Sequence, residues 1–326
     1  MLSTLWTIAK NALVEVIRQP VYAILLAMGL ALIAFSPAIT MFTMAEDEKM
    51  MIDMGLATML MLGVVMAVLG ASQVISREIE SETAGAVLSK PVGRLTFVVG
   101  KFIGVSMATF QTSLLLGIML MTAVRMGVPA SESFKMDYPA LLAELLPALA
   151  AIGLGIYANY FFRWNFTSTA MVLAVPFYCI AFLVLLVVAP NWNLELIPQV
   201  FVQRHTGQLA VAVLLVALGV WVLSAVAVAA STRLNVVMSA IVCLTVFFTG
   251  MISQFLFGQY AGHSIIAWTA QRLVPNLEVF WVGDQLMQEA PFVPPTYVAM
   301  AGAYAVAFTC AMVVLAAFLF ERREVV

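Results

Sequence analysis

Long apolar segments separated by short charged segments dominate this chain. With the charged residues taken as boundaries, eight segments reach the roughly 20 apolar residues that a helix needs to cross a ~30 Å hydrocarbon layer. They are about residues 21–43, 54–76, 98–124, 140–162, 166–189, 207–230, 235–257 and 297–320. The pattern predicts an all-α, polytopic membrane helix bundle of about eight spans. The number falls to seven or six if one hairpin is re-entrant.

A shorter helical pattern precedes the first span. Within residues 3–18, apolar positions recur at helical spacing, Lys10, Glu15 and Arg18 fall between them, and Pro20 ends the pattern. This predicts an N-terminal helix at the membrane interface over residues 1–19, although a plain helical leader into the first span explains the pattern equally well. The segment is too long and too amphipathic for the charged part of a signal peptide, so we expect it to be retained.

The positions of the basic residues predict the orientation of the bundle. If the spans alternate in direction, ten of the fifteen Lys and Arg residues lie on the same side as the N-terminus. Such an excess is typical of cytoplasmic loops, and the even number of spans then places both termini in the cytoplasm. Residues 258–295 are rich in proline and acidic residues and are expected to form an external helix and loop. No change in composition marks a boundary, which predicts one transmembrane domain over residues 1–326.

The composition supports an integral membrane protein and offers no sign of a bound cofactor or nucleic acid. Hydrophobic residues make up 63% of the chain, far above the roughly 45–50% of soluble domains, and the net charge of -2 gives no basic excess for nucleic acid. His205 and His263 have no Cys or His at ligand spacing, so a metal site is not expected. Cys179, Cys243 and Cys310 lie in separate apolar segments and are interpreted as packing residues.

The sequence does not predict an enzyme that hydrolyses ATP. The nearest approach to a phosphate-binding P-loop is residues 93–102, which place six residues between two glycines and Phe102 where the hydroxyl belongs. ATPase activity is therefore expected in a partner subunit. Gly100 and Gly104, four residues apart, allow two helices to approach closely.

Polar residues within the spans predict helix packing and do not favour ion transport. The centres of the spans contain no ionisable residue, which disfavours a proton-coupled carrier. Asp53, Arg125, Glu144 and Arg163 lie at the ends of spans. Milder polar residues within the spans are expected to form hydrogen bonds between helices. These are Gln73, Gln111, Asn159, Ser224 and Gln254.

The polar segment of residues 76–101, between the second and third spans, is the best candidate for a docking element. Glu78 and Glu82 are four residues apart, a like-charge spacing that destabilises an isolated helix and that a basic partner would relieve. Pro91 ends the short helix that precedes it. An ordinary solvated loop is the alternative, but a mere connection needs only a few residues. The segment therefore predicts a binding site for another protein.

The order of residues in this segment resembles that of a known transporter family. It contains Glu80-Ser-Glu-Thr83, then Val87-Leu88-Ser89-Lys90-Pro91, then Arg94, then Gly100-Lys101. This order is similar to that in the first cytoplasmic loop of the type-2 ABC exporter permeases. Many members of that family have glycine where this chain has Glu82. About 26 residues carry the resemblance, and the remainder of the chain shares only the general layout.

The resemblance implies a coupling helix that sits in a groove of a separate ABC ATPase. It implies two permease copies, as a homodimer or a pair of related chains, in a bacterial inner membrane. Family members usually have six spans, so either the hairpin at about 140–189 is an addition or the count of eight spans is too high. A membrane scaffold that docks a cytosolic protein without transport is the alternative. The residues assigned to the coupling site are Arg77, Glu78, Glu80, Glu82, Thr83, Lys90, Pro91, Arg94 and Lys101.

Overall fold

The protein is helical throughout the part of the chain that its structure describes. The computed structural model describes residues 2–40, 47–76, 93–127, 136–203, 206–258, 272–286 and 292–321. Within these ranges the only extended pairing is one isolated bridge, between Val188 and Leu194. The prediction of an all-α fold is confirmed for these residues.

Twelve α-helices are numbered in chain order within the described ranges. The first group is α1 (Leu2–Ile17), α2 (Pro20–Ala34), α3 (Ser36–Thr40), α4 (Asp47–Ala71), α5 (Arg94–Met126) and α6 (Tyr138–Phe162). The second is α7 (Phe166–Leu185), α8 (Gln199–Gln203), α9 (Thr206–Ser231), α10 (Val236–Met251), α11 (Gly283–Leu286) and α12 (Pro295–Glu321). Two π-helical turns, Ser72–Ser76 and Gln254–Gly258, follow α4 and α10, and a 3-10 turn covers Glu278–Phe280.

Six of the described helices are long and apolar enough to cross a membrane, and a seventh span is formed if α1 and α2 are taken together. The six are Glu48–Ser76, Leu95–Met126, Tyr138–Phe162, Phe166–Leu185, Thr206–Ser231 and Pro295–Phe320. The axes of α1 and α2 differ by 68°. The chain is therefore a bundle of six to seven candidate membrane helices, and an eighth span stays a prediction.

Two of the predicted spans are interrupted. The segment predicted at 21–43 breaks after α2 because Pro37 has no N–H to donate to the carbonyl of Ile33. The Ser36 hydroxyl donates to that carbonyl instead, at 2.7 Å. The segment predicted at 235–257 ends its α-helix at Met251, where the N–H of Leu277 donates to the carbonyl of Gly250 at 3.1 Å. The α10 helix has 16 residues, too few to cross the membrane without the turn that follows.

Helix α9 lies at the centre of the bundle and is in contact with α4, α5, α10 and α12. Small residues let its neighbours approach closely. A Cβ added at Gly63 of α4 would lie 2.4 Å from Val220, and one added at Gly117 of α5 would lie 2.4 Å from Val213. Helices in lipid associate mainly by such close packing because the surrounding acyl chains are as apolar as the side chains.

Hydroxyl and amide groups join the packed helices, as the sequence predicts for the mild polar residues. The Tyr22 hydroxyl is 3.1 Å from the Thr112 hydroxyl, and the Thr109 hydroxyl is 3.2 Å from that of Ser224. Gln111 donates from Nε2 to the carbonyl of Met171 at 2.9 Å. Asn159 and Trp164 are joined locally, within the turn that ends α6. The interhelical role predicted for Gln111 and Ser224 is confirmed.

Hydrogen bonds bring the segments predicted on one side of the membrane to one end of the bundle. The Thr167 hydroxyl at the α6–α7 turn donates to the carbonyl of Arg18 at 2.8 Å. Arg233, between α9 and α10, donates from Nε to the carbonyl of Leu319 near the end of α12, also at 2.8 Å. The connection between α7 and α8, which contains Asn193, follows the opposite end of α7. The two groups of connections are therefore separated by the length of the helices.

Cysteine labelling of the protein in its membrane tests this separation. In a variant with the three native cysteines replaced, Thr4→Cys and Asn193→Cys should react with a membrane-impermeant maleimide from opposite sides. Both positions are exposed. Reaction of Thr4→Cys only in inside-out vesicles and of Asn193→Cys only in intact cells is the expected result. Labelling of both positions from the same side would contradict the arrangement.

Candidate docking site

Most residues of the predicted coupling site lie outside the described part of the chain. The structure describes neither the backbone nor the side chains of residues 77–92. It describes the backbone of Arg94, which is the first residue of α5, and the complete Lys101. The predicted site residues outside the described ranges are Arg77, Glu78, Glu80, Glu82, Thr83, Lys90 and Pro91. The described residues on either side of this segment are Ser76 and Gly93.

The incoming end of the segment is bound to the turn between α9 and α10. Helix α4 finishes in a π-helical turn whose last residue, Ser76, is buried. The Ser76 hydroxyl lies 3.1 Å from the carbonyl oxygen of Ser231 and 3.0 Å from that of Leu234. One turn earlier, the Ser72 hydroxyl is 3.3 Å from that of Ser231. This end of the segment is therefore held against the α9–α10 turn.

The outgoing end is bound to the last helix. Gly93 is the N-cap of α5 in an extended conformation, and its carbonyl accepts a hydrogen bond from the Phe97 N–H at 3.1 Å. The Phe97 ring stacks on that of Phe320 with 5.5 Å between centroids. Both rings are buried. The start of α5 is thus packed against the end of α12.

Lys101 is buried between helices, although the sequence places it in the coupling loop. Helix α5 begins at Arg94, so Lys101 lies in its second turn and not in a loop. Only 5% of the Lys101 surface is exposed. Its Nζ lies 3.7 Å from Oε2 of Glu15 on α1 and 5.4 Å from the centre of the Phe97 ring. Lys101 therefore links α1 to α5 next to the segment. Its described contacts are with Glu15 and Phe97 of the bundle itself.

Close backbone contact strengthens the link between α1 and α5. A Cβ added at Gly104 would lie 2.5 Å from the Ala12 Cβ and 2.6 Å from the carbonyl oxygen of Ala9. One added at Gly100 would lie 2.8 Å from Ile8. The close helix contact predicted from the spacing of these two glycines is confirmed. Helices α1, α5 and α12 and the α9–α10 turn therefore hold the described residues that flank the segment 77–92, and these elements are called its base.

A second polar cluster, at the opposite end of α5, was not predicted from the sequence. Arg125 has its guanidinium fully buried and donates from Nε to Oδ2 of Asp137 at 2.9 Å. It also donates to the carbonyls of Leu185 at 2.6 Å and Val188 at 2.8 Å. The ring of Phe201 lies 5.0 Å from the guanidinium carbon. The cluster joins the ends of α5 and α7 and the start of α6.

Asp137 has two roles in this cluster. Its Oδ2 accepts from Arg125, while its Oδ1 accepts from the Ala140 N–H at 3.0 Å and so caps the N-terminus of α6. Ion pairs and caps of this kind stabilise when all their hydrogen bonds are made. The sequence contains one signal of this cluster, because Arg125 and Asp137 carry opposite charges on either side of the connection between two spans. The signal is weak, because an arginine at the end of a span can equally face the lipid headgroups.

The part of the chain that the structure describes contains no group of three His, Cys, Asp or Glu residues that could hold a metal ion. No protein-family model matches the chain, and no curated protein matches it in sequence. The described part of the chain is a helical bundle with Ser76 and Gly93, the residues on either side of residues 77–92, at one end and the buried Arg125–Asp137 ion pair at the other.

Removing one partner of the buried ion pair should destabilise the protein strongly. Arg125→Met leaves the carboxylate of Asp137 buried without its counter-charge, and we expect a loss of about 3–5 kcal/mol in the free energy of unfolding. Thermal unfolding in detergent, followed by circular dichroism, measures the effect. The double variant Arg125→Met/Asp137→Asn should regain part of the loss, because it removes the unpaired charge. Equal stability of the single and double variants would contradict the assignment of an ion pair.

Proposed function

We propose that this chain is the membrane permease subunit of an ATP-driven ABC exporter, and that a separate ATPase subunit docks on residues 77–92. The observation that carries the proposal is that the described residues on either side of this charged segment are held in the bundle. Its incoming end is hydrogen-bonded to the α9–α10 turn through Ser76, and its outgoing end is packed on α12 through Phe97. The resemblance to the type-2 exporter permeases supplies the identity of the partner.

The anchored base gives a physical route from a docked ATPase to the bundle. A partner that pushes the segment would load α5 directly, and α5 packs on α1, α4, α9 and α12. Closely packed helices move as rigid elements, so displacement at one end can be passed along their length. In this proposal, Lys101 and Glu15 have a positioning role. They hold α1 against α5, next to the segment on which the ATPase acts.

The proposed topology has eight spans with both termini in the cytoplasm. The 68° bend between α1 and α2 suits an α1 that lies at the interface and an α2 that enters the membrane. Helix α2 is about 22 Å long at 1.5 Å per residue, and α3 extends it towards the opposite surface. The turn Gln254–Gly258 extends α10 in the same way. The segment 77–92 is then cytoplasmic, and residues 258–295 are external.

The hairpin formed by α6 and α7 is proposed to be an addition to a six-span core. The most apolar windows of α6 and α7 are 33% and 22% buried, compared with 67% for those of α4, α5 and α9. The window of α12 is also only 28% buried, but this helix packs on the central α9. The two helices pack mainly on each other and touch the bundle chiefly through α5. The Arg125 cluster fixes this hairpin to α5 at the opposite end from the docking segment. The proposed transporter contains two copies of this chain and two ATPases.

Substitution of the acidic residues in the docking segment tests the proposal. The triple variant Glu78→Ala/Glu80→Ala/Glu82→Ala should reduce recovery of an ABC ATPase by about tenfold or more, because a basic docking groove would lose its charged partners. Recovery is measured by quantitative mass spectrometry after affinity purification of the tagged chain from its native membrane. Membrane insertion of the variant should be unchanged.

A matched control removes three acidic residues from the predicted external side. Glu46→Ala/Asp47→Ala/Glu48→Ala makes the same change in net charge and should leave ATPase recovery at the level of the unmodified chain. If the docking-segment variant recovers as much ATPase as the unmodified chain, the result would argue against docking at this segment. If the unmodified chain recovers a cytosolic partner other than an ATPase, a scaffold without transport is favoured instead.

A further inference from the structure

A polar pocket of about 510 Å³ lies where α1 bends into α2. It is at the same end of the bundle as the docking segment, since Gln73 of the π-helical turn after α4 lines one wall. The side chains that give the pocket its character are basic or amide groups. The polar lining residues are Lys10, Asn11, Glu15, Arg18, Gln19 and Gln73.

The charges around this pocket favour an anion. Lys10 and Arg18 are both exposed, and neither forms an ion pair within the described ranges. Glu15 is the one acid in the lining, and its Oε2 lies 3.7 Å from Nζ of Lys101, which offsets its charge. The pocket therefore has two basic side chains available to a negatively charged group.

Amide side chains in the lining supply donors for the same kind of ligand. Asn11, Gln19 and Gln73 each line the pocket, and an amide N–H group can donate to an anion. A phosphate group supplies several acceptor oxygens together with the negative charge that Lys10 and Arg18 attract.

An apolar groove of about 390 Å³ adjoins the polar pocket along α1. Val14 lines both cavities, with Ile17 on its apolar side and Arg18 on its polar side, as the helical order of these residues requires. Across the groove lie side chains near the end of α6 and the start of α7. They include Leu154, Tyr157, Phe162, Trp164 and Val172.

We propose that these two cavities together form a binding site for an anionic phospholipid. The phosphate is held by Lys10 and Arg18, and one acyl chain lies in the groove between Ile17 and Tyr157. An apolar groove next to an anion site distinguishes a lipid from a free phosphate, which has nothing to place there. An α1 that lies at the interface and an α2 that enters the membrane, as the 68° bend allows, place the site among the lipid headgroups. The site does not depend on the identity of the docked partner.

Lipid binding by the purified full-length protein tests this site. Delipidated protein in detergent is titrated with dioleoyl phosphatidylglycerol or with dioleoyl phosphatidylcholine, and bound lipid is counted by native mass spectrometry. The double variant Lys10→Ala/Arg18→Ala should bind the anionic lipid about tenfold to thirtyfold more weakly than the unmodified chain. Binding of the zwitterionic lipid should not differ between the two. Phosphatidylglycerol should also raise the unfolding temperature of the unmodified chain more than that of the variant.

Two further arms distinguish a specific lipid site from a general attraction of anions to the basic residues of the protein. The control Lys49→Ala/Arg272→Ala removes two basic residues at the other end of the bundle and should retain the affinity of the unmodified chain. Dihexanoyl phosphatidylglycerol, with short chains, should bind more weakly than the dioleoyl lipid, and glycerol phosphate more weakly still. Equal affinities of the Lys10/Arg18 variant and the unmodified chain would overturn the proposal. The proposal would also be overturned if the control variant lost as much affinity for the anionic lipid as the Lys10/Arg18 variant. A rise in unfolding temperature with inorganic phosphate as large as that with phosphatidylglycerol would overturn it as well.

Discussion

Close packing of helices that carry few large polar groups is the constraint on which this structure depends. In lipid, apolar side chains gain little by leaving the acyl chains for each other, so helices associate where small residues let their surfaces fit closely. Gly63 and Gly117 bring α4 and α5 against Val220 and Val213 of α9, and Gly104 brings α5 against Ala12 of α1. The contact between Gly104 and Ala12 also belongs to the base of the docking segment.

Polar groups complete this packing at the two ends of the bundle. Ser72 and Ser76 bind the α9–α10 turn at one end, while Arg125 and Asp137 join α5 and α7 to α6 at the other. A backbone carbonyl that has lost its helical partner needs another donor, and membrane interiors offer no water to supply one. The carbonyl of Leu185 at the end of α7 is satisfied by Arg125 for this reason. Polar contacts therefore join helices at both ends of the bundle.

Much of this arrangement could be predicted from the sequence, because the bilayer imposes a simple length and polarity rule. The apolar segments predict an all-helical bundle, and the spacing of Gly100 and Gly104 predicts a close helix contact, whose partner in the structure is α1. The positions that escape prediction depend on distant partners. The charge of Lys101 and its place in the resemblance predict a position in a loop, but the ion pair with Glu15 of α1 makes its burial favourable. The break in the first span has a local cause by contrast. Pro37 has no N–H to donate to the carbonyl of Ile33, and this much can be predicted from the sequence alone.

The central claim is that ATP used by a docked partner moves the membrane helices through the segment 77–92. Spin labels at Gln285→Cys, an exposed position on α11, in both copies of a cysteine-free chain would report motion at the opposite end of the bundle. Pulsed electron paramagnetic resonance on the complex purified with its ATPase measures the distance between the two labels. The proposal predicts a distance distribution that shifts when ATP is added and returns after hydrolysis. An unchanged distribution in a complex that hydrolyses ATP would contradict it.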